Sequence, residues 1–264
     1  MTKVISLTNQ KGGIGKTSLT HAFVRGLAMK GKKVLGIDFD PSGNLSENSQ
    51  ADRKETPGSI ELLLNAADIG EMIQYIEYGD YYLIASPEKR KLNDRQFRKM
   101  LAQNDEPLFS LKRRMDDIIK MNIFDYIVVD TGPDINELTM NVLIASDEII
   151  VPTTTNKNSL DGIPDLLDAI MAAQEAGNTG LRIRGILVNR FKPRFTSDRA
   201  TESTIEQMAR ELEAPVFKTY IRNAQEVENA TDHRMDVLTY SPNHEVSKDI
   251  MRFIDEFLKG EEDG

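Results

Sequence analysis

A chain of 264 residues with 39% apolar content can bury one sizeable core, and α/β chains of this length commonly form one domain. The absence of cysteine excludes a disulfide framework, a thiolate metal site, an iron–sulfur cluster and a cysteine nucleophile. The formal charge of −9 repels nucleic acid and anionic lipid, so contact with either needs a local patch; with 6% aromatics and no Trp, a base-stacking platform is not expected.

Apolar runs predict strands over 4–8, 33–37, 81–84, 126–130, 148–151, 183–188 and 216–220. Amphipathic stretches predict helices starting near Thr17, Gly58, Asn93, Leu108, Ile135, Ser159, Arg199, Ala224 and Asn243. This alternation implies an α/β fold, a doubly wound, mostly parallel sheet with helices on both faces. The unbroken run Ile127-Val128-Val129 marks a strand buried on both sides. One domain over 1–260 is expected, then a frayed acidic tail over 261–264. The first residues enter a strand pattern without a charged leader, and no window approaches about 18 continuous apolar residues. A cytoplasmic, unprocessed protein is therefore expected. Lys89, Arg90, Lys91, Arg95, Arg98 and Lys99 form one basic stretch and Lys112-Arg113-Arg114 another; both read as solvated helix faces.

After the first strand the chain reads Asn9-Gln10-Lys11-Gly12-Gly13-Ile14-Gly15-Lys16-Thr17, then a helix, which is the strand–loop–helix context of a phosphate loop. Glycines let backbone N–H groups converge on phosphate oxygens, and the helix N-terminus adds its positive dipole end. Candidate nucleotide-binding residues are Lys11, Gly12, Gly13, Ile14, Gly15, Lys16, Thr17 and Ser18. Lys16 is expected to reach the β- and γ-phosphates of ATP, and Thr17 to ligand Mg²⁺. The usual motif has Gly where Gln10 stands, and Lys11 follows it here. Two acids end strands, where ligands bind in open α/β sheets: Asp40 in DFDPSGN and Asp130 in IVVDTGP. Asp130 is expected to hold Mg²⁺ directly or through water, and Asp40 to orient or deprotonate the attacking water and to lie at the metal. Asp38 is as readily a turn cap.

KGGIGKT, DFDPSGN and IVVDTGP together resemble the ParA/MinD group of P-loop ATPases, the ParA branch above all, with Ser42 where that branch has Gln. EIIVPTTTNKNSLDGI, GILVNRF and Tyr220-Ile221-Arg222-Asn223 extend the resemblance over most of the chain. It implies an ATPase, slow and stimulated by a ParB-like centromere-binding partner, that forms an ATP-sandwiched homodimer and positions plasmid, mobile-element or chromosomal DNA. Lys11 would then reach phosphate across the dimer interface, and Lys16 and Asp40 would complete the catalytic set. Asn189 falls where relatives contact adenine, and is equally a turn former. Sequence-neutral DNA contacts would come from basic residues of the C-terminal half: Arg190, Lys192, Arg194, Arg199 and Arg222, each also readable as a solvated charge. A MinD-like membrane protein is one rival; the apolar face of 247–259 reads as core, and Glu261-Glu262-Asp263 would be repelled by lipid, so no membrane contact is expected. A small-molecule ligase is the other, and no second substrate constellation supports it.

Overall fold

The computed structural model describes residues 2–88, 99–104, 106–155, 160, 162–192 and 199–262. Its strands are β1 (Lys3–Leu7), β2 (Val34–Asp38), β3 (Ile73–Ile76), β4 (Tyr81–Ile84), β5 (Tyr126–Asp130), β6 (Glu148–Thr153) and β7 (Arg182–Val188). They form one sheet in the order β3-β4-β2-β5-β1-β6-β7, antiparallel only between β3 and β4. Parallel neighbours need long crossovers, and helices supply them. The helices are α1 (Lys16–Met29), α2 (Asn44–Asn48), α3 (Ser59–Leu64), α4 (Ile69–Met72), α5 (Ser110–Lys120), α6 (Glu137–Ala145), α7 (Ile163–Glu175), α8 (Arg199–Glu211), α9 (Gln225–Asp232), α10 (Val237–Tyr240) and α11 (Glu245–Glu262).

Successive strand residues point to opposite faces. Ile5, Leu7 and Val128 therefore pack with α1, α10 and α11, whereas Val4, Ile127 and Val129 pack with α3, α5 and α6. Every residue of β2 and β5 is buried, as the continuous apolar run requires. The doubly wound sheet stands.

Three expectations need correction. Residues 216–220 do not form a strand: single bridges join Ile186 to Val216 and Phe191 to Arg222. The Lys218 and Thr219 N–H groups go instead to the Glu256 carboxylate of α11, at 2.6 and 2.9 Å, which removes them from any ladder. The short antiparallel edge β3 was not expected, nor were α2, α4 and α10. Residues 261 and 262 are helical rather than frayed: α11 continues to Glu262, and Glu261 accepts bonds from Lys3 Nζ at 2.5 Å and Tyr126 Oη at 3.2 Å. The helix expected near Asn93 and the start near Ser159 lie outside the described residues.

The apolar face of α11 is core. Phe253 and Phe257 pack against Phe23 of α1 with ring centroids 5.4 and 5.1 Å apart, and Phe217 meets Phe253 at 4.9 Å. Gly26 lets α1 approach this closely, since a Cβ there would sit 1.9 Å from Ile254 Cδ1. Phe253→Ala should therefore cost about 3–5 kcal/mol, read as a lowered urea midpoint.

On the same side of the sheet, His21 is buried with its Nε2 2.8 Å from Tyr81 Oη, 3.1 Å from Tyr78 Oη and 3.4 Å from Ser49 Oγ. Burial lowers its pKa to about 4 from 6.5, against a smaller opposing pull from Asp236. The unfolded chain thus binds a proton that the folded chain refuses. Stability from this group is complete above pH 6.5 and falls as pH drops towards 4, by about 3 kcal/mol in all. Denaturant titrations at pH 7 and pH 4 should show that excess acid sensitivity in the wild type relative to His21→Gln.

Candidate functional site

The carboxyl edge of the sheet positions the site. Register sets Leu7 of β1 level with Asp130 of β5, and Asp130 level with Asp38 of β2. The segment leaving Leu7 turns back into α1, so the phosphate-loop residues stand beside both acids.

Gly13 and Gly15 have φ of +74° and +83°, left-handed values that a side chain would strain. A Cβ on Gly12 or Gly13 would meet nothing within 4 Å, so the loop faces an open concavity. A Cβ on Gly15 would come within 2.8 Å of Asn189 Nδ2, which leaves no room for one. Lys16 opens α1 and is buried; its Nζ donates to the Asn9 carbonyl at 2.8 Å. Desolvation lowers its pKa, and the nearby carboxylates of Asp130, Asp40 and Asp134 oppose the shift. Thr17 and Ser18 follow in the first helical turn, whose N–H groups have no partner within the helix. This is a preformed anion site.

Asp130 is fully buried. Its Oδ1 accepts from Thr20 Oγ1 at 2.9 Å, while Oδ2 lacks a hydrogen-bond partner among the described residues. The Thr17 hydroxyl is near enough to favour the carboxylate electrostatically. Burial raises the Asp130 pKa, and repulsion from Asp38 adds to it; burial likewise raises Asp38, against the bonds from Ser46 and with a smaller push from Asp40. An orphaned carboxylate oxygen beside a threonine hydroxyl suits a divalent cation with phosphate oxygens as further ligands. Among the described residues no group of three acidic, histidine or cysteine side chains could hold a metal by itself. A site built from one carboxylate, one hydroxyl and a bound phosphate fits that fact.

Asp38 is not available as a ligand. Its Oδ2 accepts from Ser46 N and Oγ at 2.8 and 2.6 Å, and its Oδ1 from Asp40 N at 3.1 Å. It fixes the turn that carries Asp40. Asp40 itself lines a cavity with Thr131, Gly132, Pro133 and Asp134, and lies close to Gly132. Lys16, Thr17, Asp40 and Asp130 thus lie within electrostatic reach of one another.

Asn189 is placed differently from a free base-reading amide. Its Nδ2 donates to Ile14 O at 2.8 Å and its Oδ1 accepts from Arg190 N at 2.9 Å, so it braces the phosphate loop. It still lines the pocket that opens beside Gly15 and Ser18 towards Ile221 and Val227. Arg190 is exposed, with φ of +53° and a Glu228 oxygen 3.9 Å away. Arg222, expected as a DNA contact, is committed elsewhere: Asp249 takes its Nε and Nη2 at 2.5 and 3.1 Å, and Glu245 stands 3.7 Å off. Arg194 lies outside the described residues.

Sequence reasoning missed Asn9, Thr20 and Ser46. Asn9 Oδ1 accepts from Lys11 N at 2.9 Å while its Nδ2 donates to Pro152 O at 2.7 Å, which ties the loop entrance to β6. An Asn two residues before the loop lysine is a recognisable turn signal. Nothing local marks Thr20 or Ser46.

The AAA_31 family, described as an AAA domain, matches residues 2–183, which include the loop and both acids. Sporulation initiation inhibitor protein Soj of Bacillus subtilis is 29% identical over 92% of this chain and 92% of its own. Chromosome-partitioning ATPase Soj of Treponema pallidum is 28% identical over 91% of this chain and 90% of its own. Among solved structures, cobyrinic acid a,c-diamide synthase of Mycobacterium smegmatis, with bound ATP analog and magnesium, has a TM-score of 0.82 at 22% identity, covering 98% of this chain and 95% of that one. At that identity the likeness concerns the fold. With the family model matching over most of the chain and these relatives covering about nine-tenths of it, the chain belongs to the ParA/MinD family of P-loop ATPases.

Proposed function

We propose that the chain binds Mg-ATP at this loop, dimerises face to face around it, binds DNA without sequence preference and positions that DNA with a ParB-like partner that stimulates slow hydrolysis. The observation that carries the reading is Lys11. Asn9 fixes its backbone, it is partly exposed at the loop, and its ammonium has no hydrogen bond or ion pair among the described residues. Lys16 already supplies a buried cation from inside the same loop. A second, partly exposed lysine at the loop would serve phosphate held by another subunit, where two nucleotides face to face concentrate negative charge.

The division of labour follows from the geometry. Backbone N–H groups of residues 12–18 and Lys16 hold the phosphates. Thr17 and the free oxygen of Asp130 would hold Mg²⁺, which draws charge from the β- and γ-phosphate oxygens when bound. Asp40 orients a water or takes its proton as the water oxygen bonds the γ-phosphorus and the bond to the ADP oxygen breaks. The γ-phosphate leaves, and with it the contact that both subunits share.

The DNA surface is supported by the exposed Arg190 and Lys192, whereas Arg222 is neutralised by Asp249. The kinship with a chromosome-partitioning ATPase supports the cargo. The membrane alternative lacks its apolar anchor, because Ile250, Phe253, Ile254 and Phe257 of α11 are buried. No helix of the described residues is long and apolar enough to cross a membrane.

Lys16→Ala should abolish ATP binding, and Asp40→Ala should bind ATP and accumulate as a dimer in size-exclusion chromatography with hydrolysis reduced at least about a hundredfold; wild-type turnover by that variant would refute the assignment of Asp40. Retention on non-specific DNA should require ATP, vanish with ADP or without nucleotide and weaken steeply as salt rises. Lys11→Ala should still bind ATP yet lose that retention, whereas ATP-dependent binding to liposomes in place of DNA would support the membrane alternative.

A further inference from the structure

We infer that Arg53 is a positioning residue for hydrolysis, one that holds the Asp40 turn against the sheet and so fixes where the Asp40 carboxylate points. The inference rests on the reading of Asp40 as the hydrolytic acid.

Asp40 begins a tight turn. Its carbonyl accepts from Gly43 N at 2.9 Å and its Oδ1 from Ser42 N at 2.9 Å. Asp40 N donates to Asp38 Oδ1, which anchors the inner end of the turn to β2. Pro41 and Ser42 project into solvent, so the outer end needs its own anchor. Arg53 provides it. Its Nη2 reaches Ser42 O at 3.4 Å while its Nε donates to Ser86 O at 2.9 Å, so one planar group joins the turn to the segment after β4. Glu47 Oε2, 3.9 Å from Nη1, balances the charge, and the side chain is only 16% exposed.

Gly43 gives a second sign that the guanidinium has a built seat. A Cβ there would lie 1.9 Å from Arg53 Nη2 and 2.3 Å from Cζ, so the guanidinium lies on the glycine face of the turn. Gly43 also has φ of +66°, so the turn and the seat demand the same residue. Ser86 closes the arrangement: its N–H donates to Ser46 Oγ at 2.8 Å, and Ser46 Oγ donates to Asp38 Oδ2 at 2.6 Å. Both ends of the Asp40 turn are thus referred to the same carboxyl edge, the inner through Asp38 and the outer through Arg53. A lysine gathers its donors on one nitrogen and lacks the planar fork with which Arg53 spans the two carbonyls.

Arg53 touches none of the phosphate-loop residues in these contacts, so its loss should spare ATP binding and reduce the fraction of time that Asp40 is productively placed. Steady-state hydrolysis by Arg53→Ala should show kcat down about tenfold with KM for ATP within about twofold. Added guanidinium ion at millimolar concentration should restore part of the rate to Arg53→Ala and none to Asp40→Ala. Arg53→Lys should stay impaired, and Gly43→Ala combined with Arg53→Ala should cost little more than Gly43→Ala alone, because both empty the same seat. If Arg53→Ala fails to fold, Arg53→Gln is held to the same criteria. Wild-type kcat in the Arg53 variant beside an inactive Asp40→Ala would overturn the role of Arg53 alone. A kcat loss that guanidinium does not relieve and that adds fully to Gly43→Ala would also overturn it. Hydrolysis by Asp40→Ala at the wild-type rate would remove the reading beneath it.

Discussion

The structure is organised around like charges brought to one edge. β2, β5 and β1 lie side by side, and two of the three end in buried aspartates at the same level. Burying carboxylates is costly unless each finds a donor or a cation, and two that repel each other cost more. Asp38 solves the problem internally, with three donors from Ser46 and Asp40. Asp130 solves it only by half, with Thr20 on one oxygen and none on the other. Lys16, buried in the field of Asp130, Asp40 and Asp134, supplies a positive charge to the same edge. An unsatisfied acid beside a phosphate loop is therefore a standing demand for a cation, and the cation such a site accepts arrives with its nucleotide.

That demand explains why so many neutral side chains hold the edge together. Asn9, Asn189 and Thr131 each bond a backbone carbonyl of a neighbouring segment: Pro152, Ile14 and Leu7. Buried amides and hydroxyls rigidify without adding charge, so they fix the loop without answering the demand of Asp130. Charged contacts lie further out, where Glu148 gathers Lys3, Arg182 and Arg184 at the amino end of the sheet and Arg53 grips the Asp40 turn. Polar but neutral bracing at the centre and ionic bracing at the rim leave one carboxylate oxygen free for the ligand.

Most of the strand framework and the phosphate loop were legible in the sequence because each is written in adjacent residues. KGGIGKT needs only its own glycines and the start of a helix, and β5 needs only its apolar run. What was not legible depends on partners far along the chain. Thr20 finds Asp130 from 110 positions away and Arg53 finds Ser86 from 33, so neither spacing nor composition marks them. Residues 216–220 have a strand-like pattern, but α11 takes two of their N–H groups through Glu256, and local propensity loses to that contact. Arg222 illustrates the same limit for charge: read alone it is a surface cation, and only the fold pairs it with Asp249.

A shared fold does not settle which chemistry an ATP site serves, since a synthase and a partition ATPase can stand on the same sheet. The difference must lie next to the γ-phosphate, where a second substrate would have to fit. In this chain the cavity between the DFDP and DTGPD segments is lined by Asp40 and Asp134 but by neither Lys nor Arg. An enzyme that activates a carboxylate with ATP has to bring a second anion beside the phosphates, and a lining with two acids and no Lys or Arg of its own disfavours one. Water carries no charge and needs only an acceptor for its proton. The cavity therefore suits hydrolysis better than ligation.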